Sequence, residues 1–157
     1  MTVSRNLTEY VVRPMGEWQE QIRQWAIRKG WRAEDRDADT RTFGEEIALV
    51  VSELSEALEA YRECGDAQKV WYTYTLTVGG EQVKNLTHKQ VIAITDGISP
   101  EELGLTPKPE GVPTELADAL IRIFDMCAQL GINMDFEVAR KMAYNEGRER
   151  RHGGKHL

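Results

Sequence analysis

Long apolar runs are absent from this sequence. No stretch approaches the roughly 20 residues that a transmembrane helix needs, which argues against a membrane-spanning segment. The first residues lack an apolar stretch followed by a small-residue cleavage site, so we expect no signal peptide. Cysteine is also scarce: Cys64 and Cys127 show no metal-binding spacing, and we expect free thiols and a cytoplasmic location.

Positive charge is in short supply. The 157 residues include 20 Lys and Arg against 26 Asp and Glu, which gives a net charge of −6. Because phosphate contacts favour a basic surface, this balance argues against a general nucleic-acid binder. A local basic patch can still hold a nucleotide, and nucleic-acid binding through the tail RERRHGGKH stays open as a third interpretation.

Helical periodicity dominates the rest of the sequence. Apolar residues recur at helical spacing in four segments, and Thr42 with Glu45 three residues later has the pattern of a capping box. The predicted helices cover residues 14–30, about 42–64, roughly 114–130 and roughly 134–149. Because a helical bundle buries such stripes, we predict one all-α domain over residues 1–157, built as a four- to five-helix bundle.

Residues 66–112 have a different character. The segment VWYTYTLTV is rich in β-branched and aromatic residues, and Gly79-Gly80 offers a turn before EQVKNLTHKQVIAI. ISPEELGL has the pattern of a short helical turn, and the prolines from Pro107 to Pro113 mark a loop. We therefore predict a β-hairpin insertion between the second and third main helices.

One acidic helical phrase occurs twice. Residues 52–61 read SELSEALEAY, and residues 114–123 read TELADALIRI. Both copies share a skeleton of hydroxyl, Glu, Leu, small residue, acid, Ala and Leu. The acids of the two copies are Glu53, Glu56, Glu115 and Asp118. Either copy alone is common on a solvated helix face, so the repetition is what favours a site.

The helical wheel makes the two copies unequal. At about 100° per residue, the polar residues of the third helix fall in a sector roughly 80° wide. They are Glu115, Asp118, Arg122, Asp125 and Gln129, and we expect the helix to be buried on nearly every other side. On the second helix, Glu53 and Glu56 lie on a second, partly apolar face. Its main stripe, which we expect to face the core, is Phe43, Ile47, Val50, Val51, Leu54 and Leu58.

Convergence of the two acidic faces would demand positive charge. An unpaired carboxylate in a low-dielectric place costs several kcal/mol, so it is paired, protonated or bound to a cation. Arg122 can pair with Asp118, with Asp125 or with both. If the two helices pack antiparallel, the four acids of the repeated phrase can face one another. Such hard oxygen ligands suit Mg²⁺ or Mn²⁺.

A basic strip lies on the fourth predicted helix. Lys141, Asn145 and Arg148 have i, i+4, i+7 spacing, so they share one face. Acids for a metal and a basic strip for phosphate are the two halves of a nucleotide-hydrolysing site. The alternative is a solvated basic helix end, which the helix dipole favours. Further basic side chains follow in the tail: Arg150, Arg151, His152 and Lys155.

These residues carry a family resemblance. SELSEALEAYR, ELADALIRIFD and KMAYNEGRERRHGGK together resemble the MazG-like, all-α nucleoside triphosphate pyrophosphohydrolases. The dimeric dUTPases and the dCTP pyrophosphatases belong to the same superfamily. The resemblance covers about residues 14–65 and 113–156, whereas residues 66–112 replace the short connection usual in the family.

The resemblance implies a function. It implies hydrolysis of a nucleoside triphosphate to the monophosphate and pyrophosphate, in nucleotide-pool housekeeping or modification, with Mg²⁺ or with Mn²⁺ in its place. The implied metal ligands are Glu53, Glu56, Glu115 and Asp118, and Glu53 or Glu56 would also orient or deprotonate the attacking water. The implied substrate contacts are Lys141, Asn145 and Arg148 with the triphosphate and Trp31 with the base.

A non-catalytic helical interaction module is the competing interpretation. In that case the acids pair with Arg122 and with basic residues of a second subunit, and the insertion binds a protein. Both interpretations include oligomerisation, because the third helix is apolar over more of its circumference than a small monomeric bundle can cover. We therefore expect a homodimer or a homotetramer, as the resemblance also implies.

Overall fold

A computed structural model describes residues 14–148 of the chain. The tail residues Arg150, Arg151, His152 and Lys155 lie outside the described residues. The elements are α1 Met15–Arg28, α2 Phe43–Cys64, β1 Trp71–Val78, β2 Glu81–Leu86, α3 His88–Ile94, β3 Lys108–Glu110, α4 Val112–Leu130 and α5 Met134–Glu146. Among the described residues, no helix is long and apolar enough to cross a membrane. Both cysteines are unpaired thiols, as predicted.

The prediction of an all-α fold is wrong. Alongside five helices, the described residues form a three-stranded antiparallel sheet in the order β2-β1-β3, so the fold is mixed. β1 and β2 make a hairpin through Gly79 and Gly80, whose φ angles of 60° and 90° suit glycine. β3 falls where the prolines predict a loop. Its pairing with Trp71 and its neighbours tolerates Pro109 because β3 lies at the sheet edge.

Capping side chains decide where two of the helices begin. At α2 the predicted capping box is confirmed: Thr42 N donates to Glu45 Oε2 at 2.6 Å, and Glu45 N donates to Thr42 Oγ1 at 3.3 Å. A second capping box, between Thr87 and Gln90, starts α3 directly after β2. The segment that follows β2 is therefore a helix rather than a continuation of the strand.

The described residues divide into two compact units. The first unit comprises residues 14–46 and 121–148, and the second unit comprises Ile47–Leu120. Polar contacts tie α1 to α5 within the first unit: the Asp135 carboxylate accepts from Met15 N at 3.0 Å and from Gly16 N at 2.8 Å. These bonds satisfy backbone donors that the start of a helix leaves without an intrahelical partner.

Arg32 is the charged centre of the first unit. Its guanidinium, 1% exposed, contacts three carboxylates: Asp39 at 2.7 Å, Glu46 at 2.6 Å and Asp125 at 2.7 Å. The Glu46 contact is an ion pair by distance without hydrogen-bond angles. Burial alone would raise the pKa of Asp39, but hydrogen bonds from Arg32 and from the Arg41 backbone bring that pKa below its ordinary value. Asp125 thus finds a partner 93 positions away in sequence.

The second unit has two small apolar clusters. Tyr74, Leu76 and Leu86 of the sheet pack against Val91 of α3, with Leu103 and Leu105 against them. The other cluster joins Ala57 and Ala60 of α2 to Val112 at the start of α4, and Trp71 packs against it. The second cluster holds the two copies of the acidic phrase next to each other, because it contains residues from α2 and from the first turn of α4.

The apolar stripe that we expected in the core of α2 lies largely in solvent. α2 instead buries Glu53, Ala57 and Ala60, which lie about 100° round the helix from that stripe. The exposed positions in the second unit are Ile47, Val51, Leu54, Leu58 and Tyr61, each between 40% and 54% exposed. α4 is exposed at Leu116 and Leu120, so the expectation that it is buried on nearly every side is also wrong.

Replacing Arg32 by methionine tests the charged centre of the first unit. The substitution leaves buried carboxylates without their guanidinium, and an uncompensated buried charge costs about 3–5 kcal/mol. We expect R32M to lower the free energy of unfolding by about that amount at pH 7. The deficit should shrink as the pH falls below 3.8, the ordinary pKa of Asp39, because the stabilisation of this carboxylate by Arg32 is lost there.

Urea unfolding followed by circular dichroism measures this loss. The exposed Arg28→Met in α1 is the matched control, because it removes a guanidinium without uncovering a buried acid. An R32M protein with the unfolding midpoint of the wild type would contradict the role given to Arg32.

Candidate metal centre

Three carboxylates of the repeated phrase meet in the second unit. One carboxylate oxygen from each of Glu53, Glu115 and Asp118 lies within 4.8 Å of the other two. Glu53 is 8% exposed and Glu115 is 7% exposed, while Asp118 is partly buried. The structure therefore brings together three of the four acids that the sequence singles out.

The start of α4 positions two of these acids. Gly111 precedes the helix at φ 114°, and a Cβ there would lie 2.4 Å from the Lys69 carbonyl oxygen, so only glycine fits. Glu115 N donates to the Gly111 carbonyl at 3.2 Å, which sets Glu115 in the first turn. A helix N-terminus favours negative charge there. Asp118, three residues on, lies on the same face as Glu115.

The electrostatics of Glu115 show a shortage of positive charge. Burial raises the pKa of Glu115, and the negative charges of Glu56 and Asp118 raise it further. Lys108 opposes the rise without cancelling it. A divalent cation would relieve this repulsion, and an all-carboxylate donor set is the chemistry that Mg²⁺ and Mn²⁺ prefer. The residues present thus fit the metal that the resemblance implies.

Glu56 stands apart from the three-carboxylate group. Its side chain is exposed, and its Oε1 accepts from the Ser52 hydroxyl at 3.4 Å. Its charge nevertheless acts on Glu115, so it lies beside the group. The metal role implied for Glu56 stays a prediction, and its exposure leaves its carboxylate accessible to water.

The implied substrate residues belong to the first unit. Lys141 and Asn145 are exposed on α5, and Arg148 follows two residues after its end. Lys141 Nζ lies 5.1 Å from the centroid of the Tyr144 ring, and Arg148 Cζ lies 5.7 Å from it. Both cations therefore make cation–π contacts with the same ring. Trp31 follows α1, is 55% exposed and packs edge-on against another tryptophan of the first unit.

Sequence reasoning missed two charged residues near the carboxylates. Lys108 and Glu110 both lie on β3, and Lys108 Nζ is 3.0 Å from the Glu110 carboxylate. Glu110 Oε1 also accepts from the Thr73 hydroxyl at 2.8 Å. The alternation of Lys108 and Glu110 between prolines is the only local signal of this strand, and it is too short to predict one.

Comparison of the chain with protein-family models, with curated proteins and with solved structures found no match. Support for a function therefore comes from the carboxylate group and from the sequence resemblance.

Charge repulsion at Glu115 predicts a pH-dependent cost in metal-free protein. Because the folded state raises the pKa of this carboxyl above its ordinary 4.5, the native protein binds its proton more tightly. Stability from this group is therefore present below pH 4.5 and is lost as the pH rises above it. We expect E115Q to unfold at a higher temperature than wild type at pH 8 in EDTA, and at the same temperature at pH 4.

Added Mg²⁺ should reverse that order. At a hundred times its dissociation constant, Mg²⁺ stabilises the wild type by about 2.7 kcal/mol, and E115Q should gain much less. Differential scanning fluorimetry with and without Mg²⁺ measures both effects. Equal Mg²⁺ shifts in the two proteins would remove Glu115 from the metal centre.

Proposed function

We propose that this protein is a Mg²⁺-dependent nucleoside triphosphate pyrophosphohydrolase of the MazG-like kind, with Mn²⁺ able to replace Mg²⁺. The observation that carries the proposal is the meeting of Glu53, Glu115 and Asp118, one from the first acidic phrase and two from the second. Glu115 is more than nine-tenths buried, and neighbouring negative charges raise its pKa, so a bound cation would stabilise its charged form. The resemblance of both phrases and of the C-terminal segment supports the reaction class.

In this proposal Glu53, Glu115 and Asp118 hold the metal, which when bound would lower the pKa of water and neutralise charge on the phosphates. Water adds to the α-phosphorus, the bond from that phosphorus to the bridging oxygen breaks, and pyrophosphate leaves. Glu56 accepts the proton of the attacking water, because it is the exposed carboxylate beside the buried group. The resemblance supports phosphate binding by Lys141, Asn145 and Arg148.

Pyrophosphate release from a panel of dNTPs and NTPs tests the proposal. We expect release from at least one nucleotide with Mg²⁺ present and none in excess EDTA. The non-catalytic module predicts a folded protein that releases nothing from any nucleotide under either condition, and that outcome would end the enzyme proposal.

Two classes of variant separate the roles of the acids. Glu53→Gln and Asp118→Asn should lose both Mg²⁺ binding and turnover, because each removes a ligand. Glu56→Gln should lower kcat by about 10²–10⁴-fold while keeping the Mg²⁺ affinity of the wild type. Isothermal titration with Mg²⁺ and steady-state kinetics measure the two quantities, with the exposed Glu81→Gln on β2 as control. Full turnover by E53Q or D118N would refute the metal assignment.

We also propose that the exposed stripe of α2 packs against a second copy of the chain in a homodimer or homotetramer. Ile47, Val51, Leu54, Leu58 and Tyr61 recur every three or four residues, so they form one continuous apolar face. Contiguous exposed apolar surface of this kind marks an interaction site. The stripe carries no charge, which favours a copy of itself as the partner across a two-fold axis.

Leu54→Lys tests this association. A lysine buried in an apolar interface costs several kcal/mol, so we expect the association constant to fall by at least about 100-fold. Ser52→Lys is the matched control, because Ser52 is exposed on the same helix about 200° away. Light scattering after size exclusion gives the mass of each protein. A wild type that elutes as a monomer, or an L54K protein with unchanged mass, would contradict the proposal.

A further inference from the structure

A cleft opens beside the carboxylate group within the second unit. Its volume is about 430 Å³, inside the range of about 300–1,000 Å³ that small-molecule sites occupy. α2, β1, β2 and β3 all contribute to its lining, and so does the first turn of α4. Glu56 and Glu115 line it as well, so the cleft is continuous with the proposed metal centre.

Trp71 supplies an aromatic wall to this cleft. The indole is half-buried and packs against the cluster of Ala57, Ala60 and Val112. A Cβ on Gly111 would lie 3.0 Å from Trp71 Cζ3, so the ring is held closely against the backbone. An indole fixed against a cleft offers a face on which any of the nucleobases can stack.

Polar groups line the cleft next to the indole. Thr73 lies two residues along β1 from Trp71, so both face the same side of the sheet, and its hydroxyl is fixed by Glu110 at 2.8 Å. Asn85 lines the cleft from β2. Its backbone has a φ of 58°, a conformation that residues other than glycine rarely adopt. The amide of Asn85 offers both donors and an acceptor to a base edge.

The charge of the lining restricts the ligand. Five lining residues are glutamates and one is a lysine, so negatively charged acceptors far outnumber positively charged donors. Lys108 is already engaged by Glu110. Phosphates would be repelled from such walls, whereas amino and hydroxyl groups would donate to them. Carboxylates commonly accept from ribose hydroxyls and from the exocyclic amine of cytosine.

We propose that this cleft binds the nucleoside of the substrate, with the base stacked on Trp71 instead of Trp31 and an exocyclic amino group donating to the glutamates. The preferred substrates are then nucleotides of amino-bearing bases, and uracil and thymine nucleotides are disfavoured. This inference rests on the proposed function, since the triphosphate must extend from the cleft to the carboxylate group.

Comparison of dCTP with dUTP tests the base preference, because the two differ at one ring substituent. A hydrogen bond to a charged group contributes about tenfold or more in affinity, so we expect kcat/KM for dCTP to exceed that for dUTP by at least about tenfold. Asn85→Gly removes the amide and suits the positive φ, and it should reduce that ratio. A ratio of one in the wild type would overturn the assignment of base class.

Trp71→Leu tests the stacking wall. Loss of a stacked base weakens binding about tenfold or more, so KM for dCTP should rise by that factor. Trp71→Phe keeps a ring and should retain most of the affinity. Tyr72→Leu is the matched control, because Tyr72 is exposed on the opposite face of β1 and does not line the cleft. If circular dichroism shows that W71L does not fold, the same kinetic measurements on W71F and N85G test the proposal.

Two outcomes separate this inference from the proposed function. If the protein releases pyrophosphate but W71L and Y72L both keep the KM of the wild type, the cleft assignment is wrong and the activity stands. If no nucleotide is hydrolysed, titration of tryptophan fluorescence with dCMP still reports on the cleft. Saturable quenching that W71L abolishes would then support the cleft, and absence of quenching would overturn it.

Discussion

Burial of carboxylates on α2 and α4 is the constraint on which the rest of the structure depends. α2 buries Glu46 and Glu53, and α4 buries Glu115 and Asp125. Burying a charged carboxylate is unfavourable unless it has a partner. In the first unit that partner is Arg32, whose guanidinium is almost fully buried among its acids. In the second unit, burial and the negative charges of Glu56 and Asp118 raise the pKa of Glu115, and Lys108 opposes the rise without cancelling it. Arg32 thus compensates the buried carboxylates within the first unit, and we propose that a bound cation compensates Glu115 in the second.

An acidic face turned inward has a consequence for the outside of α2. A helix has one circumference, and a face occupied by Glu53, Ala57 and Ala60 leaves the apolar stripe about 100° away in solvent. Two alanines on the inner face also mean that little apolar area is buried there, so packing inside one chain contributes modestly. Association through Leu54, Leu58 and their neighbours would supply the missing burial. The proposed metal centre and the proposed interface therefore follow from one rotation of one helix.

Local pattern predicted the elements better than it predicted their arrangement. The helix segments, the Thr42 capping box and the hairpin glycines are all local signals, and all have counterparts in the structure. The wheel identified the faces of α2 but could not say which face turns inward, because that depends on partners far along the chain. Arg32 pairs across 93 positions, and β3 exists only because β1 accepts it as an edge partner. Three of the four acids meet in the candidate centre, whereas Glu56 is exposed and lies outside that group.

The inserted sheet is bound to the candidate centre by chain geometry. β3 ends at Glu110, Gly111 makes the turn, and α4 begins at once, so the strand register determines where the first turn of α4 lies. Glu110 pairs with Trp71, which places the indole and the carboxylates at one end of the sheet. A slip of one residue in this pairing would turn Lys108 and Glu110 to the other face. The insertion consequently positions Glu115 as well as the cleft, and it is part of the architecture of the centre rather than an appendage to it.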